Sequence, residues 1–470
     1  VRHMKEDADD GRAFTDRLLT LVTMVLIGIV LLIMVAAAHV VGLYATSEWG
    51  ASDMRVATIF TLWCIPQVVF YGIYTLYAQI LNARDVFVTP MFAPVLNNIV
   101  VIVTAILFLT LTDGAATTQG ISHTGLTLLG AGTTLGVVVQ ALVLLPTATR
   151  NGYRFRPRFD WRGTGLSKVG DLAVWTTGFV LVNQLSFLVI SNLTTYANVV
   201  ADAQGAVATG FTSYQKAQLM MMLPHSVITV SIITSLLPRL SRSAHAHDTN
   251  AFGNDLRESM SVVIALIVPC ALLLAMTGPM LGQLLYGYGA STREQGIAVG
   301  QICALFAVGL PAFSIFYVLL RSFYAREDTR TPFLVNLGFN LLHLGIGVAA
   351  FNVVRDSWKV GSLALAYSAA YLVTTLITWR LVARQVPALS VGMPAHLGRV
   401  AAASAGAGAG GFIVHAIVLR TIGNNTAVSA SLDVGLTSMT FLGAYLYLGM
   451  ALRVVSPDLL RRLGRRKADG

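Results

Sequence analysis

Read for hydropathy alone, the chain is a succession of long apolar runs separated by short polar breaks. Twelve runs reach the roughly 20 residues that a helix needs to cross a hydrocarbon layer: 18–43, 56–81, 91–112, 126–145, 171–193, 207–237, 260–280, 297–320, 333–353, 360–379, 400–419 and 434–452. A backbone in lipid must satisfy its own hydrogen bonds, so runs of this length are read as helices. The pattern predicts an all-α polytopic membrane protein. Little mass is left over for a soluble domain, so any chemistry must lie within the bundle or at its rims.

Two runs break the apolar rule. The run 207–237 is the only one with a Lys or Arg well inside it, Lys216, and it is interrupted at Pro224. A charge in a spanning helix costs several kcal/mol unless it meets water, a partner or a ligand, which makes Lys216 a candidate substrate-binding residue. Snorkelling to the membrane surface is the structural alternative, since Lys216 lies within two turns of the run's start. Pro224 removes a backbone hydrogen bond and is the candidate hinge. The preceding run, 171–193, carries Asn183, Gln184 and Ser186. Amides and hydroxyls at that density suit a helix that lines a hydrated cavity or packs on a neighbour. With Tyr214 and Gln218 from the next run they complete the candidate cavity set.

The turn after the second run recurs. A shift of 242 residues places Ala83 on Ala325, Arg84 on Arg326, Thr89 on Thr331, Pro90 on Pro332 and Asn98 on Asn340. Six spans separate the copies, so both face the same way. This predicts a parallel internal repeat, an arrangement found in alternating-access transporters. Arg84, Pro90, Arg326 and Pro332 mark the two cytoplasmic repeat turns.

Charge orients the chain. With both termini on one side, that side holds 26 Lys and Arg and the opposite loops hold 5, with Lys216 inside its span. The asymmetry predicts cytoplasmic termini. Its main contributors are the stretch 150–168 and the tail 453–467, with six cations each. The net charge of +10 is spread out rather than massed, which argues against nucleic acid as a partner. The charged residues 1–17 lack the apolar core and cleavage site of a signal peptide, and the first residue, Val1, suggests a start downstream of the natural one or at an alternative codon.

Composition and motifs exclude most chemistry. The chain is 55% hydrophobic and 11% charged. Cys64, Cys270 and Cys303 fall inside spans without ligand spacing, so no metal, disulfide or cofactor is expected. The chain has no His-Glu-x-x-His, no Walker lysine loop and no Gly-x-Ser-x-Gly elbow, and it is not expected to be an enzyme. Gly406, Gly408 and Gly411 formally fit a dinucleotide-binding spacing but follow no strand; close helix approach explains them better. Asp171 and Asp433 sit at the edges of their runs, leaving no carboxylate in mid-helix of the kind an ion-coupled antiporter buries. His343 and His415 lie within spans and read as hydrogen-bonded packing residues.

The segments Ile80-Leu81-Asn82-Ala83-Arg84, Leu236-Leu237-Pro238-Arg239-Leu240-Ser241, Leu285-Tyr286-Gly287-Tyr288-Gly289 and above all Phe323-Tyr324-Ala325-Arg326-Glu327-Asp328-Thr329-Arg330-Thr331-Pro332 resemble the MurJ/MviN family of lipid II flippases, within the multidrug/oligosaccharidyl-lipid/polysaccharide (MOP) exporter superfamily. The resemblance implies fourteen helices: two lobes around a cationic cavity, plus a final pair that forms a groove for a lipid tail. Twelve are seen, and the first resembles the family's third. The implied organisation is an N-terminal lobe (1–147) without its first two helices, a basic cytoplasmic linker (148–166), a C-terminal lobe (167–384), the helix pair (397–452) and a basic cytoplasmic tail (453–470). It also implies a place in the bacterial inner membrane, and lipid II, membrane lipids and proteins of cell-wall synthesis or division as partners. Another exporter of the superfamily, for polysaccharide-lipid or drugs, and a nontransporting membrane scaffold are the competing readings. Where some members carry an Asp-Arg pair and a Glu before the proline of their eighth helix, this chain has Gln218, Leu219 and Met222. Lys216, one turn earlier, is expected to substitute for the arginine.

Overall fold

The computed structural model describes residues 12–45, 49–112, 120–160, 166–205, 207, 209–289, 291–423 and 426–454, with backbone alone over 166–173. Among these residues there is no strand, and each of the twelve apolar runs is a helix long and apolar enough to cross a membrane. They are α1 (Arg12–Val35), α2 (Ala51–Asn82), α3 (Val88–Leu111), α4 (His123–Arg150), α5 (Leu166–Ala203), α6 (Phe211–His245), α7 (Thr249–Tyr286), α8 (Arg293–Tyr324), α9 (Arg330–Val353), α10 (Lys359–Gln385), α11 (Met393–Thr421) and α12 (Ala427–Ala451). Their outward faces are apolar: Leu32, Met91, Leu109 and Met439 are all exposed, as a surface against acyl chains requires.

Several helices outrun their apolar stretches because polar caps set their starts. Asp248 accepts from the backbone N–H of Asn250 and Ala251 and begins α7 well before Met260. Thr292 and Gln295 form a reciprocal capping box on α8, and Thr426 and Ser429 do the same on α12. Ser122 caps α4 by accepting from Gly125.

The chain divides into two compact units, Val1–Asp171 and Leu172–Gly470. In the first, α2 packs on α1 and α4, and α3 packs on α4. In the second, α8 packs on α7 and α10, and α9 packs on α10. The pairing is the same after a shift of six helices, as the repeat in the sequence implies. The turns agree residue by residue. Ala83 N–H bonds Gln79 O as Ala325 bonds Arg321, Arg84 bonds Leu81 as Arg326 bonds Phe323, and Val86 bonds Leu81 as Asp328 bonds Phe323. Asp85 and Glu327, also 242 apart, both adopt φ of 60°, a left-handed conformation rare outside glycine. Each turn arginine is docked alike: Arg84 donates to Asn151 O and lies over Tyr153, while Arg326 donates to Gln385 Oε1 and lies over Phe252.

The charged residues 1–17 are not wholly a stub. Residues 12–17 are already the first turns of α1, and Asp16 is 4% exposed. Its carboxylate accepts from the Tyr153 hydroxyl at 2.8 Å, Arg17 pairs with Asp160, and Thr20 Oγ1 accepts from Arg158 N–H. The extended segment 153–160 of the basic linker is therefore tied to α1. The Arg17 guanidinium holds the Asp160 carboxyl below its usual range. The remaining residues of the stub and of the tail beyond Val454, and the linker residues 161–165, lie outside the described residues.

α7 and α8 meet backbone to backbone. A Cβ on Gly300 would lie 2.0 Å from Gly278 O, and one on Gly282 would lie 2.3 Å from Gly296 O. Carbonyls of a packed helix cannot move aside as side-chain tips can, so Gly300→Ala should destabilise the protein by about 1–3 kcal/mol. Gly345, with nothing within 4 Å of its Cβ position, serves as the control. Thermal unfolding of the purified chain in detergent measures both; equal midpoints for the two variants would show that the helices are free to separate there.

Candidate functional site

α6 is the irregular helix of the second unit. It runs as α-helix over Phe211–Pro224, as a π-turn over His225–Thr229 and as α-helix again over Val230–His245. Proline brings no N–H, and the wider turn that follows carries the chain past the gap, with Val230 N–H bonding His225 O five residues back. The helix therefore stays continuous through the expected hinge at Pro224. His225 is buried inside the unit, 3.0 Å from Ser314 Oγ through Nδ1 and packed on the rings of Phe313 and Tyr317. Thr229 Oγ1 is buried with no hydrogen-bond partner.

The six candidate cavity residues do not share one environment. Tyr214 is buried edge-on against Phe306, and Gln218 hydrogen bonds Tyr367. Both belong to an aromatic interior that includes Phe313, Phe339, Tyr367 and Tyr371. Asn183 Nδ2 donates to Phe179 O at 2.7 Å and its Oδ1 accepts from Asn340 Nδ2 at 3.3 Å. Ser186 is buried, and Gln184 is exposed. α5 lies parallel to α9 along Trp175–Phe333, Asn183–Asn340 and Tyr196–Phe351. Its polar side chains thus serve packing on a neighbour at Asn183 and remain accessible at Gln184. Leu219, at the family's arginine position, is 59% exposed and does not share the surroundings of Lys216.

Lys216 is half-buried, and its Nζ stands 5.0 Å from the ring centre of Tyr286. It lines a pocket of about 460 Å³ between the end of α5, the start of α6, the end of α7 and the start of α8. Thr195, Asn198, Thr212, Ser213 and Gln295 line it too, and no acidic residue does. A second polar pocket, about 620 Å³, lies at the opposite end of the unit around Arg326, His245 and Asp248.

The last helix pair packs on α7 as well as on itself. Gly408 sits against Leu272 and Gly411 against Met276 and Phe441, so the glycine-rich stretch does bring helices close. Between α7 and α12 runs a slot of about 290 Å³ lined by Val262, Ala265, Leu266, Leu442 and Leu446, almost wholly apolar. His396 caps one edge through Ser261 O at 2.9 Å, and the Tyr445 hydroxyl donates to Ala265 O.

One expectation needs correcting. Asp433 is not at a helix edge: α12 starts at its Thr426 cap, earlier than the apolar run, and Asp433 lies in the second turn, 0% exposed. His415 Nδ1 stands 2.8 Å from both carboxylate oxygens and Thr437 Oγ1 donates at 3.2 Å. This hydrogen-bonded clasp joins α11 to α12 and has no spacing signature, its partners being 18 residues apart on two helices. The capping box at Thr426 was the signal that reveals Asp433's depth. Tyr286, beneath Lys216, and the Tyr153–Asp16 bond were missed for the same reason: they join distant segments. Among the described residues no group of three or more His, Cys, Asp and Glu is arranged to hold a metal ion.

A four-helix packing pattern that recurs six helices further on, an apolar surface and an appended helix pair define a multi-pass membrane protein with an internal repeat. In solved structures the same fold is seen in an inward closed lipid II flippase MurJ (TM-score 0.71, 16% identity, covering 96% of this chain and 86% of that one). An inward-facing MATE-family multidrug transporter of the MOP superfamily also matches (TM-score 0.63, 13% identity, 83% and 84% covered). In sequence, a probable lipid II flippase MurJ of Synechocystis is 25% identical over 463 residues, 97% of this chain and 83% of that protein. The family described as lipid II flippase MurJ matches residues 1–426, and the chain belongs to it.

Removing one partner leaves the buried polar atoms of the other unpaired. His415→Leu should cost about 1–3 kcal/mol of stability, while His415→Leu combined with Asp433→Leu should recover most of it. Denaturation of the four proteins in a double-mutant cycle checks this; additive losses would mean that the two side chains do not act as a pair.

Proposed function

We propose that the chain moves lipid II, the undecaprenyl-pyrophosphate-linked peptidoglycan precursor, from the inner to the outer leaflet of a bacterial cytoplasmic membrane by alternating access. Membership of the lipid II flippase MurJ family over residues 1–426 is the observation that carries this reading. The internal repeat supports alternating access, since transporters of that kind are commonly built from such repeats. The excess of cations on one side supports cytoplasmic termini, with the turns at Arg84–Pro90 and Arg326–Pro332 facing the cytoplasm. Proteins of cell-wall synthesis or division are natural partners for a carrier of this cargo.

The substrate has two unlike parts, and the second unit offers a surface suited to each. The slot between α7 and α12 is apolar and of a size for a length of polyprenyl chain, which supports the helix pair as the tail groove. For the head, Lys216 and Gln184 keep polar groups accessible, whereas Asn183, Tyr214 and Gln218 orient and brace the wall through their internal contacts. Pro224 and the π-turn after it mark where α6 bends most readily.

Reconstitution tests the reading. Liposomes containing the chain and fluorescent lipid II should show protein-dependent arrival of label in the far leaflet. Liposomes in which the label stays put would end the proposal. Leu446→Trp, which fills the slot, removes room for two or three methylenes, about 2 kcal/mol of tail binding, and should slow transport by about thirtyfold at limiting substrate.

A further inference from the structure

We propose that His415 and Asp433 form a proton-binding site between the last two helices, which clasps α11 to α12 while its proton is in place. The inference goes beyond the flippase reading and does not depend on it.

Elsewhere the chain ties its helices with neutral groups, as at Asn183–Asn340 and at Ser368 with Leu305 O. Here it uses a carboxylate, and Asp433 is 0% exposed. An ionised carboxylate in hydrocarbon is costly, so it either takes a proton or faces a protonated partner. With the imidazole neutral and the carboxylate ionised, the pair carries one negative charge; one added proton, on ring or carboxylate, makes it neutral overall. His415 Nδ1 lies 2.8 Å from both oxygens, and the only other donor to them among the described residues is the neutral hydroxyl of Thr437.

The surroundings offer no other counter-charge. α7 is the helix packed on both members of the pair, and its stretch beside Gly411, Leu272 to Met280, has no ionisable side chain. On α11, Arg420 is exposed beyond His415, and His396 is engaged at the far end with Ser261 O. On α12 the other titratable groups are Tyr445, bonded to Ala265 O near Cys270, and the exposed Tyr447, about three turns away. One carboxylate and one hydroxyl are too few oxygens for a hard cation, which leaves the proton as the ligand. The ring also gives it a way in. The His415 side chain is 18% exposed, and its bonds run through Nδ1, so Nε2 is the edge at which a proton comes and goes. Losing that proton leaves a bare negative charge between α11 and α12, which the helices relieve by parting enough to admit water.

The test uses the full chain in phosphatidylcholine nanodiscs, with carbon-labelled histidine followed by NMR as pH is varied; subtracting the spectrum of His415→Gln isolates His415. Its ring signals should titrate once between about pH 4 and 10. Asp433→Asn, whose amide oxygen still accepts from Nδ1, should weaken proton binding about tenfold or more. A ring that does not titrate in this range, or that titrates alike in wild type and Asp433→Asn, overturns the proposal. Spin labels at Ile413 and Met439, both exposed toward lipid, report the clasp. Their separation should lengthen as the proton leaves the wild type and stay constant in Asp433→Asn; a wild-type separation that ignores pH also overturns it. Should Asp433→Asn fail to fold, His415→Gln combined with Asp433→Asn removes both polar partners together, and net proton uptake across the same range should fall by one per chain. Uptake equal to that of the wild type would then count against the site.

Discussion

In hydrocarbon, no water completes the hydrogen bonds of a polar group, so each one must find its partner within the protein or face a cavity. That constraint explains where the polar side chains of this chain lie. Threonines and serines along the helices bond carbonyls one turn back, as at Thr104, Thr194 and Thr378. Others tie helices together: Ser368 to Leu305 O, Thr375 to Ala312 O, Asn183 to Asn340, His415 to Asp433. Once such uses are set aside, Lys216 and its neighbours stand out as polar groups gathered in a pocket without a shared internal partner.

The same constraint shapes helix packing. Lipid tails are as apolar as leucine, so helices gain little from merely hiding apolar surface and associate through close fit and interhelical hydrogen bonds. α7 and α8 show this at Gly278, Gly282, Gly296 and Gly300, where backbones touch. Further along, Gly309 lies against Ser368, whose hydroxyl bonds a carbonyl of α8. The contacts hold α7, α8 and α10 as one body, and the pocket of Lys216 opens at the end where α7 and α8 are most tightly joined. The facing wall is the start of α6, Phe211 to Lys216, which lies ahead of the π-turn at His225–Thr229.

The spans and the repeat were legible because both are local: hydropathy is summed over about 20 residues, and the duplicated turn spells itself out twice. The turn geometry went further than identity predicts. Asp85 and Glu327 are different residues, yet both take the left-handed conformation, because the backbone bonds on either side demand it. Contacts between segments far apart were not legible. Nothing in Asp16 points to Tyr153, or in His415 to Asp433, since each pair depends on how helices pack. Asp433 was misplaced because a helix was equated with its apolar run, while its start was set by the Thr426–Ser429 cap, outside that run.

Lys216 shows both the reach and the limit of such reasoning. Its place among polar neighbours was readable from the rarity of a cation within a span, but its destination was inferred from spacing, on the rule that residues three apart share a face. Side chains on a helix also lean toward its N-terminus. Lys216 stands six residues into α6, so its long stem reaches back past Ser213 and Thr212 to the helix start, where Tyr286 receives it. A residue at 219 begins nearly a turn deeper, and Leu219 meets neither that ring nor that pocket. A lysine at 216 and an arginine at 219 would thus have heads at different depths along the same helix. Equivalence by face does not make them equivalent by position.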